Sequence, residues 1–300
     1  MVGRAAAAGP CHFGPSWSLI AWNLSLDGFK SGRIENICLI MQGAAVLDIE
    51  TWRRLMAHAN PPPRPLLAES FDYAYGSASQ PRRVKCADGQ YYVLKGRIAG
   101  KTMVNEQLVG RLCAAMGAPV GEVTFVEVTQ GLIDADPRMA PIDAGVVHGS
   151  RFMRDVSNDR QNLAPIEIDI NRERFALLAI LYGWVVASDH QVLYREQSPK
   201  LVFSVDHGHF FPGGPGWTVA QLHAAGTAEP DGDVVSPCGL SRSDLIPAAA
   251  ALAAVSPESV ADAIAWVPPD WPFPDDERVP MALYLDRRRH EMLTGFPEVP

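Results

Sequence analysis

Residues 186–211 read VASDHQVLYREQSPKLVFSVDHGHFF, and the fold turns on how this stretch is read. Upstream of it, residues 171–186 (NRERFALLAILYGWVV) form the most apolar helical run of the chain. That helix would deliver Asp189 and His190 to a loop. Leu201 to Val205 (LVFSV) is a short apolar run of the kind that forms a buried strand, and it ends at Asp206. Two carboxylates seventeen residues apart, the second at a strand end, suit metal-assisted phosphoryl transfer. One carboxylate would position or deprotonate an acceptor, and the other would hold a metal that bridges phosphate oxygens. The same pattern also describes two turn aspartates that cap backbone N–H groups. The segment alone leaves both readings open.

Moving outward, YYVLKG (91–96) follows an Asp88-Gly89 turn and alternates through Tyr91, Val93 and Lys95, which predicts a β-hairpin. A lysine at the end of a buried strand is costly unless its ammonium meets a partner or an anionic ligand. Eleven residues later Glu106 sits on a predicted helix, 102–116, whose apolar positions 104, 108, 109, 112, 115 and 116 share one stripe. Gly117 is its expected C-cap. A strand lysine braced by a helix glutamate is the device that holds ATP phosphates in protein kinases. A surface lysine and a solvated glutamate would read the same way residue by residue. What separates the two readings is order: strand Lys, helix Glu, loop Asp, then a strand-end Asp-x-Gly.

On YYVLKG, NEQLVGRLCAAMGAPV, SRFMRD, SDHQVLY and SVDHGHFF, the chain resembles the HipA-like kinase family over roughly residues 66–215. The resemblance implies a two-lobed kinase-like fold that binds ATP and Mg²⁺. Lys95 would contact phosphates and Glu106 would brace it. Asp189 would be the catalytic-loop aspartate and Asp206 the metal aspartate. The segment from Val147 to Phe152, with Val147 and His148 at its start, would lie near the adenine. The family's catalytic loop usually reads Asp-x-His-x-x-Asn. Here His190 and Gln191 come directly after Asp189 and position 194 is Tyr. Gln191 is then the residue left to supply a side-chain oxygen to nucleotide or metal. YGSAS (Tyr75 to Ser79) is the nearest thing to a glycine-rich phosphate loop. These departures keep a nucleotide-binding pseudokinase, or a regulatory module without turnover, beside the active phosphotransferase. A toxin-antitoxin-like setting belongs to the same resemblance.

Composition narrows the field further. Hydrophobic residues make up 47% of the 300, enough for a sizeable core, and charged residues 20%, which argues against a disordered chain. The net charge of −8, with no basic run beyond Arg287-Arg288-Arg289, argues against direct nucleic-acid binding. A nucleotide and an unspecified protein or small hydroxyl acceptor remain as partners. No apolar run reaches membrane-span length, so no membrane partner is expected. Five cysteines with no C-x-x-C argue against a disulfide framework or structural zinc and point to a reducing cytoplasm. A third chemistry, a metal-dependent hydrolase, would draw on Asp206, His207 and His209, which lie together in sequence, while His148 and His190 lie elsewhere.

The expected organisation is α+β. Residues 1–40 read as a poorly ordered leader, with Met41 as the expected true start. Residues 41–65 hold a helix (46–58) and a Pro-rich connector. Residues 66–153 form a β-rich N-lobe with strands at 120–128 and 146–153. Residues 154–300 form a mostly helical C-lobe that begins with a polar linker, 154–168. Helices are expected near 218–225, 241–253, 257–265 and 277–293, after a stiff FFPGGPGW loop whose aromatic residues either pack on the helices or face an acceptor.

Overall fold

The structure is a computed structural model, and it describes residues 46–158 and 167–296. The expected leader and the proposed start at Met41 lie outside the described residues, as does most of the expected linker. In chain order the elements begin with α1 (Ile49–Ala57), β1 (Leu66–Ala74), β2 (Arg82–Cys86), β3 (Tyr91–Lys95), α2 (Lys101–Met116), β4 (Val123–Val128), α3 (Gln130–Ala135), β5 (Gly145–Arg151) and β6 (Val156–Asn158). They continue with α4 (Ile168–Val185), β7 (Gln191–Arg195), β8 (Val202–Val205), α5 (Val219–Ala224), α6 (Gly232–Val235), α7 (Arg242–Ala253), α8 (Pro257–Ala265) and α9 (Asp275–Thr294). The mixed α+β class is as expected.

β1 to β5 close into a barrel in the order β1-β2-β3-β5-β4. The tight turn at Gly89 (φ 77°) joins β2 to β3 and sets the register Lys85↔Tyr91 and Val84↔Tyr92. Closure leaves no unpaired edge among these strands. Ala68, Val84, Cys86, Leu94, Val126 and Val147 are among the residues that fill the barrel. β1 is mostly exposed and carries two register irregularities, so it shows no clean alternation and the sequence reading gives it no strand of its own.

α2 is the pivot of the fold. The sequence suggested one apolar stripe, but twelve of its sixteen residues are buried, among them Asn105, Glu106 and Gln107. Gly117 caps it in the left-handed conformation (φ 73°), as expected. Its apolar side chains join the large core that α4, α7, α8 and α9 build together. α1 packs on α8 and α9, tied by Asn60 to Asp262 (2.8 and 2.7 Å) and by the Leu47 N–H donating to Asp286 (2.7 Å). The N-terminal helix thus covers the C-terminal helices rather than the barrel.

A second sheet, β6-β7-β8, lies beside α4. It corrects the reading of 154–168 as linker, because Val156–Asn158 pairs with β7. A three-residue strand has no period of its own, and its existence depends on the partner edge. β8 is also joined to the tail of α2, where the Ser204 N–H donates to the Pro119 carbonyl (2.8 Å). The described cysteines Cys86, Cys113 and Cys238 are buried and free. No single helix among the described residues is long and apolar enough to cross a membrane.

Candidate active site

A cleft of about 980 Å³ runs between the β1–β3 face of the barrel and the β7–β8 sheet. Lys95, Glu106, Gln191 and Asp206 all line it, and so do Tyr75 to Ser77 of the YGSAS turn. Four segments far apart in sequence therefore meet, as their order had suggested.

Lys95 reaches the cleft because β3 ends there. Its ammonium donates to Glu106 Oε1 (2.5 Å) and to Asp206 Oδ1 (2.7 Å). The Lys95 side chain is only 8% exposed. Burial disfavours its charge, but the two carboxylates outweigh that penalty and hold its pKa above the ordinary lysine value. Glu106 is fully enclosed. Burial pushes its pKa up, yet Lys95 and the His207 N–H bond (3.1 Å to Oε2) bring it below the usual carboxylate range. The expectation of a surface lysine with a solvated glutamate fails, and the pair is a buried, bonded one.

Asp206 caps β8 in the left-handed region (φ 58°, ψ 61°), with its side chain 42% exposed toward the cleft. The next residues form one 3₁₀ turn pressed against α2. A Cβ at Gly208 would stand 2.1 Å from Thr102 Cγ2, so the close approach requires glycine. His207 turns inward, with its Nε2 2.8 Å from Ser204 Oγ, which in turn meets the Tyr182 hydroxyl. Its buried Nδ1 has no hydrogen-bond partner and lies 3.7 Å from Glu106.

Asp189 arrives on the loop after α4. The carbonyls at the end of α4 have no helical partners. α9 satisfies them, with Arg288 donating to Trp184 O (2.8 Å) and Gly183 O (2.5 Å) and the Tyr284 hydroxyl to Val185 O (3.2 Å). Val186 takes a left-handed φ of 59°, an uncommon conformation for a β-branched residue, and turns the chain toward the site. Asp189 lies just outside the cleft lining and accepts from Gln191 Nε2 (3.0 Å). Gln191 stands on β7 opposite Val205, beside Asp206 in space. Its nitrogen faces Asp189, which leaves its oxygen for a ligand in the cleft. Tyr194, at the family's Asn position, is buried in β7.

Val147 and His148 do not line the cleft, which corrects their expected place beside an adenine. Val147 packs inside the barrel, and His148 is buried against α2, bonded to Ser150 (2.8 Å) and facing Gln107 (3.0 Å). Both faces of β5 are covered there, and the strand lines the cleft only from Ser150 onward. The sequence did not single out Arg83, which lies over the Phe152 ring at 4.1 Å and pairs with Asp72; all three side chains line the cleft. A run of alternating polar and basic residues carries no signal for such stacking.

The histidines do not form the cluster that a hydrolase would need. His148 and His207 are buried and held below the ordinary histidine pKa, chiefly by burial. Among the described residues only His190, Asp231 and Asp233 bring three metal-ligating side chains together. There His190 stacks flat on Tyr182 (4.8 Å between centroids) and faces Asp231 at 3.2 Å. Burial opposes its charge, but Asp231 and the nearby acids win and raise its pKa. The aromatic residues of the FFPGGPGW loop pack inward: Phe210, Phe211 and Trp217 are all buried, so they form no acceptor wall.

Residues 73–211 match the family described as HipA-like kinase. The fold is similar to that of the Helicobacter pylori proinflammatory kinase CtkA, with a TM-score of 0.53 at 11% identity over 78% of this chain and 97% of that one. Two structures of the Golgi casein kinase, the second with Mn/ADP bound, align at 11% identity with TM-scores of 0.38 and 0.39. They cover 83% and 91% of this chain and 77% and 87% of theirs. No curated protein sequence matches the chain. Residues 73–211, from the end of the first barrel strand to the loop after Asp206, thus match the HipA-like kinase family.

Proposed function

We propose that the protein is an ATP- and Mg²⁺-dependent phosphotransferase acting on a protein or small hydroxyl acceptor, built as two lobes with the barrel above the nucleotide and the helices below it. The observation that carries this reading is the Lys95–Glu106–Asp206 chain of contacts at the head of the cleft, with Lys95 and Glu106 buried. A lysine with two carboxylate partners and one open side is a phosphate site in waiting. The half-exposed Asp206 carboxylate and the Gln191 side-chain oxygen are hard donors of the kind Mg²⁺ prefers. The metal, when bound, would neutralise charge on the transferring phosphoryl oxygens.

The chain's own residues do the rest. Lys95 keeps its ammonium charged, held by Glu106, and offers it to the phosphates. Asp189 orients the acceptor hydroxyl and takes its proton. As the acceptor oxygen bonds to the γ-phosphorus, the bond to the β-phosphate oxygen breaks and ADP leaves. Catalysis of this type is mostly positioning and charge stabilisation. A second reading, a nucleotide-binding pseudokinase, is favoured by Tyr194 at the family's Asn position.

The test is the melting temperature with ATP, with Mg²⁺ and with both, on wild type and on Asp206→Asn. Ligand at about 100 times its Kd adds about 2.7 kcal/mol. The expected result is a rise with both in wild type, and loss of its metal-dependent part in the variant. No rise in wild type would overturn nucleotide binding altogether. Intact mass after incubation with ATP and acceptor then separates transferase from pseudokinase.

A further inference from the structure

The loops that carry Asp206 and Asp189 share one anchor that the roles assigned above do not use. Asn105, next to Glu106 on α2, is fully buried. Its amide nitrogen donates to the carbonyls of Gly208 (2.9 Å) and Phe210 (3.0 Å), with Gly214 O a longer third acceptor at 3.4 Å. Its oxygen accepts from the Trp217 indole N–H (2.9 Å). Both ends of the amide are therefore used, and all the partners lie in one segment, 208–217. No other residue type of this size supplies two donors and an acceptor in this geometry.

Two non-glycine residues take left-handed conformations here, Asp206 at φ 58° just before the anchored segment and Phe211 at φ 72° within it. Non-glycine residues keep such conformations only where their surroundings dictate them. The segment also carries the other loop. The Phe211 N–H donates to the Val186 carbonyl (2.9 Å), and the Ser188 hydroxyl donates to the His209 carbonyl. The chain of contacts runs from Asn105 through 208–217 to 186–188, the residues that lead into Asp189.

We infer that Asn105 is a positioning residue that fixes both site carboxylates by locking 206–217 in one arrangement, so that this segment is a permanent scaffold rather than a switch. The inference rests on the phosphotransferase reading for its functional consequence, but not for the lock itself. From Phe210 to Trp217 the segment consists of glycine, proline and buried aromatics. The lock gives α2 two neighbouring duties: Glu106 holds Lys95 and the His207 N–H, and Asn105 holds the segment from Gly208 to Trp217.

The experiment compares wild type, Asn105→Leu and Trp217→Phe as full chains. Three quantities are read: amide hydrogen exchange without ligand, the Mn²⁺ concentration that gives half of the ATP-dependent rise in melting temperature, and ATP binding in EDTA. For Asn105→Leu, exchange should speed up across 207–217 and 186–189 while α4 stays protected. Half-saturation by Mn²⁺ should move up by about tenfold or more, as loss of one or two buried hydrogen bonds implies. ATP binding in EDTA should stay unchanged. Merely loosened packing would lower the melting temperature without moving the metal requirement. Trp217→Phe removes one of the bonds and should move the first two readouts in the same direction by a smaller factor. If Asn105→Leu fails to fold, Trp217→Phe decides. Wild-type exchange and wild-type metal requirement in a folded variant would overturn the inference. If wild type itself shows no metal-linked effect of ATP, the phosphotransferase reading fails, and exchange alone decides whether Asn105 holds the segment.

Discussion

Asp206 and Asp189 approach the same cleft, but the molecule holds them by different means. Asp206 is bonded directly to a buried ammonium, and the residue after it is fastened to α2 through Glu106. Asp189 receives one side-chain bond, from Gln191, and depends for its position on the loop between α4 and β7. The charge-handling side of the site is thus set by buried, low-dielectric contacts, where electrostatic interactions are strong. The side that would meet the acceptor is set by loop geometry. The Asp206 half is accordingly preorganised, and the Asp189 half depends on its loop.

Neutralising each aspartate in turn separates the two halves most clearly. Asp206→Asn should lower phosphate transfer by roughly a thousandfold or more, since a metal contributes several kcal/mol to the transition state. Asp189→Asn should cost roughly a hundredfold, the lower range for a proton-transfer group, and should leave the melting temperature near wild type. Transfer measured by intact mass that fell equally in both, or a large stability loss in Asp189→Asn, would erase the distinction.

A next, smaller effect concerns stability. Lys95→Ala leaves the Glu106 carboxylate buried without its ammonium, which should cost about 3–5 kcal/mol in denaturant unfolding. Lys95→Met combined with Glu106→Gln should recover part of that loss, because the stranded charge is gone. A mild Lys95→Ala phenotype would mean that the pair is hydrated in solution.

The smallest effect is a slope with pH. His148 and His207 have folded pKa values below the ordinary 6.5, so they stay neutral in the fold while the unfolded chain takes up protons. Their contribution is present above about pH 6.5 and is lost as pH falls below it, by at most about 1.4 kcal/mol per pH unit for each. His190 has the opposite sign: its raised pKa favours the fold at low pH, and that contribution is lost as pH rises through its folded value. Unfolding measured from pH 7.5 to 5 should show the net loss, and His148→Gln should flatten it. A flat wild-type profile would place His148 in contact with water.

Much of the site was legible because each of its charged members ends a regular element or rides one. Lys95 closes an alternating strand, Asp206 closes a short apolar one, and Glu106 rides a helix with a clear glycine cap. Where the reading failed, local pattern had nothing to act on. Val147 and His148 sit on a strand covered on both faces, so neither alternation nor polarity told cleft from core. β6 exists only because β7 pairs with it. Asn105 looked like an ordinary helix residue, and its significance lies in three partners more than a hundred positions away.

The α+β class, the barrel hairpin, the central helix and the order of the four charged residues were all written in the sequence. They come from periodicity, capping and chain order, which are local properties. Tertiary structure alone decided that Lys95 bonds to Glu106 and Asp206 at once, that two histidines are buried neutral, and that one asparagine carries both loops. Such facts depend on long-range contacts whose energy comes from exclusion of water, and no local window contains the groups that exclude it.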